Sequence, residues 1–140
     1  MQKETWQPAP GGTPYEQLGG TETIRKLVEH FYDAMERLEP ELAAIHKQDE
    51  PGKVSRESRD NFAMFLVFWL GGSHGYIEKR GHPMLRARHA PFIVDAKMRD
   101  AWLNSMTTAM NELGIGGEVR TFLDGRFAHV ANFLRNVEEQ

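Results

Sequence analysis

Apolar residues recur along this chain at steps of three and four, in blocks closed by glycine or proline, and that spacing dictates packed helices. The clearest block is Ile24, Leu27, Val28, Phe31, Tyr32, Met35 and Leu38. At 3.6 residues per turn these side chains share one stripe, which predicts an amphipathic helix over 21–38, capped by Thr21 with Glu22 in its first turn. A second block predicts a helix from a Ser55 cap to Leu70. On it Ser58, Phe62, Phe65, Leu66 and Trp69 share a face, while Ala63, Met64, Val67 and Phe68 make its C-terminal half apolar nearly all round, so it must pack on several sides. Asp95 caps a third helix, with Met98, Trp102, Met106, Ala109, Met110 and Leu113 along one side and Gly114, Gly116 and Gly117 breaking it. A fourth, about 118–137, is expected to bury Val119, Phe122, Leu123, Phe127, Val130, Phe133, Leu134 and Val137. No stretch alternates with period two over a useful length, so the fold class is all-α.

The connecting pieces are short. Thr13 to Leu18 forms a helical turn that stops at Gly19-Gly20, because glycine enters the left-handed region at little cost. Pro40 opens a segment to about His46, and Pro51-Gly52 marks a loop. From Ser73 to Pro91, Gly75, Gly81, Pro83 and Pro91 leave room only for short helical pieces, one carrying Arg86 to His89. Residues 1–12, with Pro8, Pro10 and a glycine pair, read as a loose leader before a single domain over 13–140.

A chain of 140 residues can bury a core without staples. It has no cysteine, which excludes disulfides, thiolate metal sites and thioether-linked haem and leaves six histidines as the main soft ligands. A net charge of −3 argues against a nucleic-acid partner. The longest apolar run, Phe62 to Leu70, is about half of the roughly 18 residues a membrane span needs, and the N-terminus lacks the pattern of a signal peptide. A cytoplasmic protein is expected.

Phosphate-binding, dinucleotide-binding, zinc-protease and EF-hand motifs are absent. The chemistry then turns on His89, in Leu85-Arg-Ala-Arg-His-Ala-Pro-Phe92 on a short helix that Pro91 ends. A haem iron needs one axial imidazole on the inner face of an element, its other ring nitrogen bonded to a carbonyl. Arginines beside it could neutralise propionates. Taken alone, the stretch reads more readily as a surface histidine in a basic loop.

The run Gly81-His-Pro-Met-Leu-Arg-Ala-Arg-His-Ala-Pro-Phe92, followed by Arg99-Asp-Ala-Trp-Leu103, resembles the truncated haemoglobins, specifically their second group. So do Tyr15-Glu-Gln-Leu-Gly-Gly20, His30-Phe-Tyr32 and Trp69-Leu-Gly-Gly72, in the same order across about residues 13–134. The resemblance implies a globin-like two-over-two helical sandwich with a shortened first helix and an extended loop at 73–84. It implies haem b with His89 as proximal ligand. It places the distal polar and catalytic groups on Tyr32, His46 and Trp102, and the variable positions over the iron on Ser58 and Phe62. Ser58, where other globins often keep histidine, suggests an open ligand gate. Asn61 stands where many relatives carry a basic propionate partner, which leaves Arg88, then Arg86 and Tyr76, for that role; Phe92 completes the cofactor-binding group.

Each distal position has a plainer reading: a core tyrosine at 32, core filling at 102, and at 46 a surface histidine with Ile45 facing the pocket instead. The resemblance implies binding of dioxygen, nitric oxide or carbon monoxide. A hydrogen bond to a charged group contributes roughly 1.5–3 kcal/mol, so two donors would slow oxygen escape by about two powers of ten or more. That suits nitric oxide dioxygenase-like or peroxidase-like chemistry, fed by a separate reductase, better than carriage. Two other readings remain: a zinc or other metal site at His74, His82 and His89, and a cofactor-free helical module binding through Lys79 to Arg88. The sequence carries no signal for oligomeric state.

Overall fold

The computed structural model describes residues 12–72 and 95–134. Six helices carry these residues: α1 (Pro14–Leu18), α2 (Gly20–Leu38), α3 (Pro40–Ala44), α4 (Arg56–Trp69), α5 (Ala96–Leu113) and α6 (Gly117–Leu134). A hairpin of β1 (Gln48–Glu50) and β2 (Lys53–Val54) joins α3 to α4. The helices form two pairs, α2 with α4 and α5 with α6, stacked so that α2 lies along α5. This is the all-α class that the spacing predicts, in the two-over-two arrangement that the resemblance implies.

Local chemistry sets the helix ends. The side chains of Thr13, Ser55 and Asp95 accept hydrogen bonds from the N–H groups of Glu16, Ser58 and Met98, satisfying donors that each first turn leaves unpaired. Gly19, at φ 107°, turns α1 directly into α2. Helix α2 therefore starts at Gly20, and Thr21 does not cap it. The Thr21 hydroxyl lies inside the first turn, 2.9 Å from the Tyr15 hydroxyl. That contact ties α1 to α2.

Ile24, Leu27, Val28, Phe31, Ala34 and Met35 have no exposed surface, which makes α2 the spine of the core. Each large apolar side chain buried this fully stabilises the fold by roughly 1.5–3 kcal/mol before entropy is counted. Leu38 departs from the expected stripe, being 43% exposed at the end of α2, where the chain turns at Glu39 into Pro40. Phe122 departs as well, at 45% exposed. Val119, Leu123 and Phe127, spaced by four, take the inner face of α6, and neighbouring residues on a helix point about 100° apart. Val130 is half-buried, while Phe133, Leu134 and Val137 fall outside the described side chains. The hairpin escaped the period-two test because its strands are too short to alternate.

None of the described helices is long and apolar enough to cross a membrane. The register of α6 makes a direct prediction. Leu123→Ala should cost about 2–5 kcal/mol in chemical denaturation, and Phe122→Ala less than about 1 kcal/mol. Equal losses would mean that α6 is rotated about its axis relative to this packing.

Candidate functional site

Phe31 lies at the junction of α2, α4 and α5. Its ring centroid is 4.9 Å from Tyr32, 5.2 Å from Phe62 and 5.3 Å from Trp102. Phe62 also reaches Tyr32 at 5.9 Å and Trp102 at 6.3 Å. The rings continue from Phe62 to Phe65, Trp69, Phe127 and back to Trp102 at 5.6–6.3 Å, linking α4, α5 and α6 in a closed circuit. Tilted and edge-on pairs dominate around Phe31, the geometry that ring quadrupoles favour.

Tyr32, 5% exposed, is the polar member of this wall on α2. Burial raises the pKa of its phenol well above the ordinary value, with the Arg59 charge offsetting part of the rise, so the hydroxyl keeps its proton at neutral pH. No hydrogen bond joins that hydroxyl, or the half-buried Trp102 indole N–H, to another described residue. Among the described residues no side-chain nitrogen or oxygen is sealed from solvent without a partner. Among the described residues the buried Tyr32 phenol is thus a donor with no committed acceptor.

His46 meets the Tyr32 ring edge-on at 5.6 Å. Its Nδ1 is 2.9 Å from the Leu42 carbonyl oxygen. A carbonyl only accepts, so Nδ1 carries the hydrogen, and in the neutral ring Nε2 is an acceptor. Ile45 packs against the core beside it. Ser58, on the first turn of α4, is turned toward the helix cap: its hydroxyl oxygen accepts from the Ser55 hydroxyl at 3.0 Å. The structure thus brings together Tyr32, His46, Phe62 and, through Phe31 and Phe62, Trp102. His89, Tyr76, Arg86, Arg88 and Phe92 lie outside the described residues, as do His74 and His82. Among the described residues no group of three or more metal-ligating side chains gathers.

Sequence reasoning missed Arg59. It is 7% exposed on α4, and its guanidinium bridges Glu29 at 2.9 Å, Asp33 at 2.9 Å and Glu36 at 2.8 Å, all on α2. Its Nε also donates to the Val54 carbonyl at 3.2 Å. Burial opposes its charge, but hydrogen bonds to Asp33, Glu29 and Glu36 outweigh that, and its pKa stays above the ordinary value. A signal was present: Glu29, Asp33 and Glu36 are spaced by four and three on the edge of the α2 stripe, and Arg56 and Arg59 by three on α4.

The chain belongs to the Bacterial-like globin family, which matches residues 13–136. It is similar to a group 2 truncated haemoglobin of Bacillus subtilis, 39% identical over 126 residues that make up 90% of each chain. Among solved structures it resembles the group II truncated haemoglobin of Bacillus anthracis, with 37% identity, a TM-score of 0.84, and 94% of this chain and 96% of that one covered. It also resembles a truncated oxygen-avid haemoglobin from Bacillus subtilis, with 38% identity and a TM-score of 0.78, covering 89% of this chain and all of that one.

The carboxylates around the arginines carry a pH dependence. Hydrogen bonding to Arg56 and Arg59 holds Glu29 below its ordinary 4.5 despite partial burial, so below pH 4.5 the unfolded chain binds more protons than the folded one. This contribution to stability is complete above pH 4.5 and is lost as the pH falls. Glu29→Gln should lower stability at pH 7 and make the acid limb of the stability–pH curve shallower, as read by urea unfolding at several pH values. An unchanged acid limb would show that Glu29 titrates alike in both states.

Proposed function

We propose that this chain binds haem b through His89 and holds dioxygen, or another diatomic ligand, against Tyr32 and Trp102 for a redox role. The observation that carries this reading is the Tyr32 phenol: buried, protonated, set in a wall of aromatic rings, and without a described protein partner. An apolar wall with few polar groups is what the distal side of a flat conjugated cofactor requires, so the described residues fit it. His89 would hold the haem, whose iron would supply the site that binds a diatomic ligand.

The other steps belong to the side chains. Tyr32 donates its hydroxyl hydrogen to the negative end of a bound ligand, and Trp102 is the second donor. His46, with its Nδ1–H committed to the Leu42 carbonyl, meets the Tyr32 ring edge-on and orients it. Phe31 and Phe62 keep water from competing for these donors. Ser58, whose oxygen accepts from the Ser55 hydroxyl, is a small side chain where other globins often keep histidine. Arg88, Arg86 and Tyr76 would meet the propionates, with Phe92 lining the cofactor.

The similarity to a haemoglobin described as oxygen-avid supports retention of the ligand over rapid exchange. Retention suits reaction of bound oxygen with nitric oxide, or the reduction of peroxide, with electrons from a separate reductase.

Two measurements test this. His89→Ala, expressed in a haem-replete host, should lose the Soret band and most of its cofactor; undiminished haem content would sink the ligand assignment, and zinc without haem in the unsubstituted protein would favour a metal site at His74, His82 and His89. Tyr32→Phe and Trp102→Phe should each speed oxygen dissociation in stopped flow by about tenfold or more. Unchanged rates in both would remove the distal donors from the account.

A further inference from the structure

The Tyr32 ring is enclosed on more sides than its neighbours in the aromatic wall can account for. Phe31, Phe62 and His46 meet it with ring centroids 4.9–5.9 Å away. The Arg59 guanidinium carbon lies over it at 5.6 Å, within the reach of a cation–π contact. That guanidinium is itself immobilised. Its hydrogen bonds run to Glu29, Asp33, Glu36 and the Val54 carbonyl, so it spans two turns of α2 and the end of the hairpin at once. Glu29, Asp33 and Glu36 stand three before, one after and four after Tyr32. Arg59 directly follows Ser58 on α4 and precedes Phe62 by three. Arg56 adds a two-pronged pair to Glu29 at 2.7 Å on each branch. Glu36 is in turn fixed by the Val54 N–H at 2.7 Å.

From this we infer that Arg59 is a positioning residue for the ligand pocket. It locks the register of α2 against α4 at the point where Tyr32 faces Phe62, and it backs the phenol ring so that the hydroxyl is held in one place. Lysine could keep the charge there but not the planar fork that reaches three carboxylates and a carbonyl together. The ion cluster is thus part of the pocket's architecture, although none of its members need touch the ligand.

This inference rests on Tyr32 acting as a ligand donor, and a double-mutant cycle in the haem-loaded protein separates the two. Arg59→Lys should raise the oxygen dissociation rate about fivefold or more and shift the C–O stretch of the carbonmonoxy form. In a Tyr32→Phe background the same substitution should add less than about twofold and leave the stretch in place. Asp33→Asn, which alters only an exposed carboxylate of the cluster, should act in the same direction with smaller size, and it replaces Arg59→Lys in the cycle if that variant does not fold. Equal factors in the two backgrounds would reduce Arg59 to a structural tie and overturn the inference alone. No effect in either background would do the same. If Tyr32→Phe by itself moves neither rate nor stretch, the donor role of Tyr32 fails and this inference fails with it.

Discussion

The aromatic wall around Tyr32 depends on the burial of one phenylalanine. Phe31 has no exposed surface and touches Tyr32, Phe62 and Trp102, each supplied by a different part of the fold or by its own next residue. Successive side chains on a helix point about 100° apart, so fixing Phe31 in the α2–α4–α5 junction obliges Tyr32 to face the neighbouring sector. There it meets His46 from the end of α3 and Phe62 from α4. The phenol is therefore presented by core packing, not by a loop. Its position is as well determined as the core itself.

The ion pairs differ in weight. Lys97–Glu41, Lys47–Glu57 and Arg37–Glu112 are largely exposed, and solvent screens such pairs so that they add little to stability. Arg59 and Glu36 are both about nine-tenths withdrawn from solvent, where an unpaired charge would cost several kcal/mol. Arg59 can remain there only because α2 offers it three carboxylates in two turns. The polar and apolar halves of the pocket are coupled for this reason: any rotation of α2 that moved Tyr32 would also strip a buried cation of its partners.

Much of the fold was legible because period 3.6 survives in sequence wherever a helix buries one face. The helices over 20–38, 56–69 and 96–113, and the caps at Ser55 and Asp95, could be read directly. Phe122 could not, because Phe122 and Leu123 are both apolar and adjacent. Only the position of Trp69 and Trp102 around Phe127 decides which of them faces inward. Thr21 failed as a cap because Gly19 ends one helix and begins the next without an intervening residue. In the site, Tyr32 and Trp102 stood out as polar aromatics on apolar stripes. The proton on His46 Nδ1 was not readable, since it depends on a backbone carbonyl four residues earlier. Arg59 hid in a helix chosen for its apolar residues, its partners on another element.

A buried phenol has two options in such a wall. Ionised, it would be an acceptor and would repel a ligand that carries negative charge. Neutral, it donates. Burial raises the phenol's pKa by more than the nearby Arg59 charge lowers it, so the donor form persists at neutral pH. The same apolar enclosure makes that donor stronger toward a charged acceptor than it would be in water, because no solvent dipoles compete. On the proposed reading a diatomic ligand thus gains its hydrogen bonds at the moment it becomes negatively polarised, and it must give them up to leave. A site with that bias retains charged states of its ligand better than neutral ones. On the proposed reading that bias favours reaction of the ligand over its exchange.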